Sequence, residues 1–221
     1  MNIVETIKRH LSEVGYPKAS IKTAQVRSIS AQTFKTIEDK DISHVLSLCT
    51  QLLEQRDWAL GVVAYDWAFR VRKQYSKDTF PIFERWLIEF VTDWNDCDDF
   101  CTHALGELLS QYNDLFEATI KWGEHPNFAV RRAAAVILIY PINKNRYSVL
   151  DPFRVADLLL GDDHDLVQKG SGWMLKVFSQ KEPELVISYL KANHAVMPRV
   201  AFRYAIEKLV DGKIKRELMS L

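Results

Sequence analysis

Apolar positions recur with helical spacing along most of the chain. Between residues 42 and 55 the apolar side chains fall at i, i+3, i+4 and i+7, which predicts a helix with one buried face. The same pattern predicts helices over 58–74, 80–92, 98–110, 113–122, 128–140, 152–160, 165–180, 183–191 and 198–210. Turn residues predict breaks at Asp78, Pro81, 123–126, 141–143, 161–163 and Pro183. No alternating segment predicts a strand, so we predict an all-α chain of about twelve helices.

A weak internal repeat organises these helices. Residues 128–138 align with 165–175 at an offset of 37, and 57–65 are a looser copy. A helix pair that recurs every 35–45 residues is typical of a HEAT-like α-solenoid, whose inner helices line a concave surface. We therefore predict a single HEAT-like repeat domain over 1–221, with 1–20 as a short N-terminal segment and a concave, partly basic face.

Composition and charge limit the classes of protein that this sequence can represent. Hydrophobic residues make up 48% of the chain, and Gly and Pro are sparse, with 8 and 7 copies, which suits a helical core. No apolar run is long enough to span a membrane, and the N-terminus lacks a signal-peptide layout, so we expect a cytoplasmic protein of the bacterial type. The net charge is zero, but residues 121–221 carry 16 Lys+Arg against 11 Asp+Glu, while residues 1–120 carry 13 against 18. This modest basic excess permits a polyanion-binding face.

The three cysteines, Cys49, Cys97 and Cys101, are expected to be reduced thiols. Cys97, Cys101 and His103 could be read as metal ligands, but a structural zinc site needs four ligands, usually in closer pairs. Cys97 and Cys101 lie one helical turn apart, which equally fits packing. We therefore predict no metal site.

Unusual side chains cluster at a few predicted helix starts. Trp94 and Asp98 are four residues apart, so a helix there would put the indole and the carboxylate on one face. Downstream follow Arg131-Arg132, Gly170-Ser-Gly-Trp173 and Met197-Pro-Arg199. A surface of one carboxylate, flat aromatics and cations suits an anionic ligand whose reaction develops positive charge. Asp98 is also compatible with a helix-capping acid, and Asp96 and Asp99 are equally placed for that role.

The order and spacing of these motifs resemble the AlkD group of DNA alkylation repair proteins, which are HEAT-like-repeat DNA glycosylases. The resemblance runs from about residue 21 to residue 209. The segments that carry it are Ile21-Lys-Thr-Ala-Gln-Val-Arg27, Trp94-Asn-Asp-Cys-Asp98, Val130-Arg-Arg-Ala133, Val167-Gln-Lys-Gly-Ser-Gly-Trp173 and Met197-Pro-Arg-Val-Ala-Phe-Arg-Tyr-Ala-Ile-Glu-Lys-Leu209.

The resemblance implies an activity and roles for particular residues. It implies hydrolysis of the N-glycosidic bond of cationic N3- or N7-alkylated purines in double-stranded DNA, without a cofactor. We expect a monomer, since a solenoid that works on one duplex needs no second copy. Asp98 matches the catalytic carboxylate, and Trp94 and Trp173 match aromatics that pack against the lesion's deoxyribose. Arg132, or alternatively Arg131, matches an arginine that holds the DNA backbone. We expect further backbone contacts at Lys169, Arg199 and Arg203, although the last two arginines could instead pair with Glu207.

Two other functions fit the same sequence. Few residues precede the matched segment, and 15–20 fit the family poorly, which leaves room for a non-catalytic protein that binds damaged or branched DNA. The neutral net charge also fits a protein-interaction scaffold, a common role of helical solenoids.

Overall fold

A computed structural model describes residues 2–209 and 211–220, and every regular element within these ranges is helical. The predicted all-α class is therefore confirmed. The chain divides into two compact units, one ending at Val91 and the other beginning at Thr92, and each is described by itself. The single domain predicted over 1–221 stays a prediction.

The first unit is a set of five α-helices around a core of large aromatic side chains. The helices are α1 (Ile3–Glu13), α2 (Thr23–Lys35), α3 (Ile42–Leu53), α4 (Trp58–Arg70) and α5 (Thr79–Phe90). Trp67 and Trp86 are fully buried. Each indole N–H is satisfied inside the unit: Trp67 donates to the Ser30 carbonyl at 3.1 Å, and Trp86 donates to Thr50 Oγ1 at 3.1 Å. The predicted segments contain α3, α4 and most of α5, but they omit α1 and α2.

The second unit has ten α-helices in its described residues. They are α6 (Trp94–Phe100), α7 (Gly106–Gln111), α8 (Phe116–Ile120), α9 (Phe128–Val136), α10 (Ile139–Asn143), α11 (Pro152–Leu158), α12 (Asp165–Phe178), α13 (Pro183–Asn193), α14 (Arg199–Ala205) and α15 (Gly212–Met219). A π-helical stretch, Cys101–Leu105, joins α6 directly to α7. The aligned segments 128–138 and 165–175 do begin equivalent helices, as their alignment predicts.

Several predicted boundaries were wrong. The helix predicted over 98–110 begins at Trp94, because Asp93 accepts a hydrogen bond from the Trp94 amide and caps the helix there. The break predicted at 141–143 lies inside α10, where Pro141 occupies the first turn and removes no intrahelical hydrogen bond. Val210, the last residue of the predicted helix 198–210, lies outside the described residues.

Side-chain hydrogen bonds between neighbouring layers reveal the period of the repeat. In the first unit Trp67 and Ser30 are 37 residues apart. In the second unit the pair Tyr147–Glu182 is separated by 35 residues. The pairs Arg154–Glu117 and Tyr189–Asp157 are separated by 37 and 32 residues. Contacts at similar spacings, here 32 to 37 residues, are expected when each repeat packs against the next. The fold is therefore a helical repeat.

Gly172 in α12 offers a direct test of this packing. A methyl group there would lie 2.5 Å from the Ala201 carbonyl oxygen and 2.6 Å from Tyr204 Cβ, both in α14. We expect Gly172→Ala to lower the free energy of unfolding by about 2 kcal/mol or more, because backbone must move. In α4, a methyl group on Gly61 would meet only Tyr65 Cε2, at 3.9 Å. Gly61→Ala should be neutral or stabilising, by up to about 1 kcal/mol. Urea unfolding of both variants checks this, and similar losses would contradict it.

Candidate functional site

Four of the candidate charged residues share one register position in their helices. Four helices of the second unit, α6, α9, α12 and α14, pack one against the next. They begin at Trp94, Phe128, Asp165 and Arg199. The fifth residues of these helices are Asp98, Arg132, Lys169 and Arg203. We call these four residues the fifth-residue row; it holds one acid, in α6, followed by three cations.

The first two members of the row form a bidentate ion pair. Arg132 Nε donates to Asp98 Oδ1 at 2.8 Å, and Arg132 Nη2 donates to Asp98 Oδ2 at 2.9 Å. Arg132 Nη1 also donates to the Leu166 carbonyl, so one guanidinium connects α6, α9 and the start of α12. The arginine side chain is 5% exposed and the carboxylate 18% exposed. The guanidinium fork therefore fixes the orientation of Asp98, while part of the Asp98 side chain stays exposed to solvent.

Burial and charge act in opposite directions on this pair. Burial raises the pKa of the Asp98 carboxyl, and Asp93 and Asp99 add to that rise, whereas hydrogen bonds and charge from Arg132 lower it; the net direction is upward. For the Arg132 guanidinium, burial disfavours the charge, but the hydrogen bonds that it donates to Asp98 and the negative charge of Asp98 outweigh burial and raise the pKa. Removing either partner would leave a largely desolvated charge, which typically costs about 3–5 kcal/mol.

Gly170 explains how α12 comes so close to Arg132. A methyl group at Gly170 would lie 3.0 Å from Arg132 Cγ and 3.1 Å from Arg132 Nη1. The guanidinium has little freedom to move away, because Asp98 and the Leu166 carbonyl hold it. The two glycines before Trp173 thus serve different contacts: Gly170 makes room for Arg132, and Gly172 makes room for α14.

The two neighbouring carboxylates have different environments. Asp99 lies 3.4 Å from His103 Nδ1, and the same nitrogen donates to the Asp99 carbonyl at 2.9 Å. Asp96 is partly buried, and within the described residues no hydrogen bond or ion pair to its side chain is present. Burial, with added repulsion from Asp93 and Asp99, raises the pKa of Asp96 to about 6. Of these acids, it is Asp98 that contacts Arg132.

The two candidate tryptophans differ from those of the core. Trp94 is 42% exposed at the start of α6, one turn before Asp98. Trp173 is partly exposed, one turn after Lys169 in α12. Trp67, Trp86 and Trp122 are buried. An exposed indole beside an oriented carboxylate offers a flat apolar surface to a ligand.

The remaining candidate cations are engaged to different extents. Arg131 forms a bidentate pair with Asp162, at 2.5 and 3.2 Å, and donates to the His125 and Pro126 carbonyls. It therefore fastens the loop before α9 to the loop before α12. Lys169 pairs with Asp165 at 2.5 Å on the surface.

Arg199 and Arg203 lie on the outside of α14. The Arg199 guanidinium carbon is 5.5 Å from the Phe202 ring centroid, and Arg203 is exposed. Glu207, the alternative partner considered for both arginines, pairs with Lys176 at 3.2 Å instead. The Arg199 and Arg203 side chains are therefore positive charges exposed to solvent.

Cys97 and Cys101 lie beneath this surface as buried free thiols, with their sulfurs 4.0 Å apart. No group of three or more His, Cys, Asp or Glu side chains in residues 2–209 and 211–220 is arranged to hold a metal ion. In the same part of the chain, no helix is both long and apolar enough to cross a membrane.

Comparison with known families now adds to this geometry. The sequence model of one family, described as "DNA alkylation repair enzyme", matches residues 3–209. The chain belongs to that family. The match includes the N-terminal segment that the motif-based resemblance omitted. Membership of the DNA alkylation repair family supports a role in alkylation repair and suggests binding to DNA. No curated protein matches the chain in sequence.

Solved structures agree on the fold of this family member. A predicted DNA alkylation repair enzyme from Enterococcus faecalis superposes with a TM-score of 0.68 at 15% identity, covering 95% of this chain and 94% of the other. AlkD2 from Streptococcus mutans superposes with a TM-score of 0.66 at 18% identity, covering 95% of this chain and all of the other. At these identities the likeness concerns the helical repeat fold alone.

Sequence reasoning missed two members of this site. The Leu166 carbonyl accepts a hydrogen bond from Arg132, and Gly170 provides the space for its side chain. A backbone acceptor has no signature in sequence. The pair of glycines was a signal of close approach, but nothing in the sequence identified Arg132 as the neighbour of Gly170.

The raised pKa of Asp96 predicts a pH-dependent effect of Asp96→Asn. Because the folded-state pKa of about 6 lies above the ordinary value of 3.8, protonation of Asp96 favours the fold. This contribution is complete below about pH 4 and is lost as the pH rises through about 6. The stability of Asp96→Asn relative to wild type should therefore improve from pH 4 to pH 7.5, by of order 1 kcal/mol after solvent screening.

The control for this prediction is Asp41→Asn. Hydrogen bonds from Ser43 lower the pKa of the exposed Asp41 carboxyl, so its ionised form favours the fold. This contribution is lost only as the pH falls below the ordinary value of 3.8, so the stability of Asp41→Asn relative to wild type should be nearly constant above about pH 5 and should improve at lower pH. Thermal unfolding at several pH values measures both differences. A difference for Asp96→Asn that is constant with pH would contradict the prediction.

Proposed function

We propose that this protein is a monofunctional DNA glycosylase that hydrolyses the N-glycosidic bond of cationic N3- or N7-alkylated purines. The observation that carries the proposal is the Asp98 carboxylate, which Arg132 orients one helical turn from the exposed Trp94. Family membership in DNA alkylation repair supports the class of substrate.

The chemistry requires only electrostatic help and water. The C1′–N bond breaks, its electron pair goes to the purine, and the cationic base leaves as a neutral molecule. The sugar passes through an oxocarbenium-like state, water adds to C1′, and its proton is released. A carboxylate beside C1′ stabilises the developing positive charge and can accept that proton. Asp98 supplies this carboxylate, and no cofactor is needed.

Arg132 is proposed as the positioning residue for Asp98. It uses one acceptor site on each carboxylate oxygen, at 2.8 and 2.9 Å, and each oxygen has a further lone pair for water or for sugar. Its charge also lowers the pKa of Asp98 against the effect of burial, which favours the ionised form. Three of the five Arg132 N–H groups donate hydrogen bonds within the chain. The remaining two N–H groups are proposed to contact the DNA backbone.

The other candidate residues bind the substrate. Trp94 and Trp173 pack against the lesion's deoxyribose, and Lys169, Arg199 and Arg203 contact the phosphates of double-stranded DNA. The bidentate pair with Asp162 gives Arg131 mainly a structural role. The protein acts on its duplex as a monomer in the cytosol, and the proposed helical surface leaves room for bulky adducts.

A non-catalytic DNA-binding role is the second candidate function. The observation that favours it is that Arg132 already neutralises Asp98. If that pair persists on DNA, the carboxylate stabilises an oxocarbenium ion only weakly. Such a protein would bind damaged DNA with a steep salt dependence and release no base.

Release of 7-methylguanine or 3-methyladenine from methylated duplex DNA, with enzyme in excess, tests the proposed activity. Wild type should release base, and Asp98→Asn should be slower by about 100-fold or more, because the charge that stabilises the transition state is lost. DNA affinity of this variant should stay similar or rise, since a negative charge near phosphates is removed. Asp96→Asn and Asp99→Asn should lose far less. Absence of base release by folded wild type would contradict the proposed glycosylase activity and favour the non-catalytic DNA-binding role.

The pH dependence of base release tests the role of Arg132. Because the pKa of Asp98 is raised, the rate should decline on acidification at a pH above the ordinary Asp value of about 3.9. Arg132→Lys keeps a cation but loses the guanidinium fork, so the decline should move to higher pH. Arg154→Lys, in the exposed bidentate pair with Glu117, should leave the profile unchanged. Single-turnover rates, corrected for spontaneous depurination, measure these profiles, and coincident profiles would contradict the role.

A further inference from the structure

Tyr204 is a polar residue of α14 to which the proposed activity gives no role. Tyr204 Cβ packs against α12, and a methyl group on Gly172 would lie 2.6 Å from it. Gly172 directly precedes Trp173 in the chain. The Tyr204 side chain is partly exposed, and within the described residues no hydrogen bond from its hydroxyl is present. The ring is thus held by packing while its donor is available to a ligand.

The surroundings of Tyr204 are basic. Lys176 Nζ lies 5.4 Å from the Tyr204 ring centroid. The preceding residue, Arg203, is exposed at the end of the fifth-residue row. The nearby carboxylates are already paired, Glu207 with Lys176 and Asp165 with Lys169. The unneutralised charge at α14 is therefore positive.

The opposite end of the row has the opposite sign. The start of α6 carries four carboxylates, Asp93, Asp96, Asp98 and Asp99, and Arg132 pairs with Asp98. A ligand with an anionic group and a cationic group would be oriented by this difference. An alkylated nucleotide has both: a phosphate diester and, when the base is alkylated at N3 or N7, a cationic ring.

We propose that the Tyr204 hydroxyl donates a hydrogen bond to a DNA phosphate beside the lesion, and that the lesion nucleotide lies with this phosphate toward α14 and its sugar toward α6. This inference rests on the proposed function, since it names a further binding residue of the same site. The phenol adds direction, because a neutral donor fixes where the phosphate lies while Arg203 and Lys169 supply the charge.

Tyr204→Phe removes the hydroxyl and keeps the ring that packs at Gly172. The probe is a duplex with a single tetrahydrofuran abasic analogue, which binds without turnover. Loss of a hydrogen bond to a charged group should weaken binding about tenfold. The slope of log Kd against log salt should not change, because no cation is removed. Arg203→Gln should instead reduce that slope by about one.

A phosphate scan makes the test specific. Single methylphosphonates, which are uncharged, are placed in turn at the phosphates on either side of the abasic analogue. At one position the substitution should weaken binding of Tyr204→Phe less than it weakens binding of wild type, because the hydrogen bond is already absent in the variant, whereas the lost charge opposite Arg203 and Lys169 affects both proteins. Tyr189→Phe, whose hydroxyl bonds to Asp157 at 2.8 Å outside the row, should bind every duplex as wild type does.

The outcomes separate this inference from the proposed activity. Tyr204→Phe that is folded and binds as tightly as wild type would overturn it, as would a loss that persists on every methylphosphonate duplex. Base release by wild type together with either result would leave the glycosylase standing. Tyr204-dependent binding without base release would instead leave the phosphate contact standing and remove the glycosylase. Wild type that binds neither methylated duplex DNA nor the duplex with the abasic analogue would overturn both the glycosylase and the phosphate contact.

Discussion

The Asp98–Arg132 ion pair is the constraint on which the arrangement of the second unit depends. A guanidinium that is 5% exposed must have its charge balanced, and the partner comes from a helix 34 residues earlier in the chain. The same guanidinium bonds the Leu166 carbonyl 34 residues later. Three successive layers of the repeat are therefore tied to one side chain, which fixes their spacing and also the direction of the carboxylate proposed for catalysis.

The glycines of α12 follow from that constraint. If Arg132 occupies the space between α9 and α12, the residue opposite it can carry no side chain, and Gly170 satisfies this condition. Two residues later Gly172 admits the backbone of α14 in the same way. Helix α12 thus gives up helix propensity, roughly 1 kcal/mol for each glycine, in exchange for close approach on both sides. Trp173 follows directly after both glycines, so its position depends on both contacts.

The sequence predicted the fold class and the starts of α9 and α12, because cap residues and helical periodicity are local signals. The break predicted at 141–143 was wrong, because Pro141 lies in the first turn of α10, where proline is tolerated. The π-helical stretch after Phe100 has no local signature either, and there His103 and Thr102 side chains bond the Asp99 and Asp98 carbonyls. Motifs identified Asp98 and Arg132 separately. Their contact is a consequence of packing between layers, which no local pattern encodes.

The shared register of the fifth-residue row has a consequence for how this protein can change over evolution. One residue turns an α-helix by about 100°. A single insertion between the cap and the fifth residue of α9 would therefore point Arg132 away from Asp98 and leave α6 without its partner. Residues added in the loops before the caps, such as 194–197 before α14, do not change the position of the fifth residue, because that position is set by where its own helix begins. Length variation in this family should accordingly accumulate between the helices, while the first turns of these four helices keep a constant length.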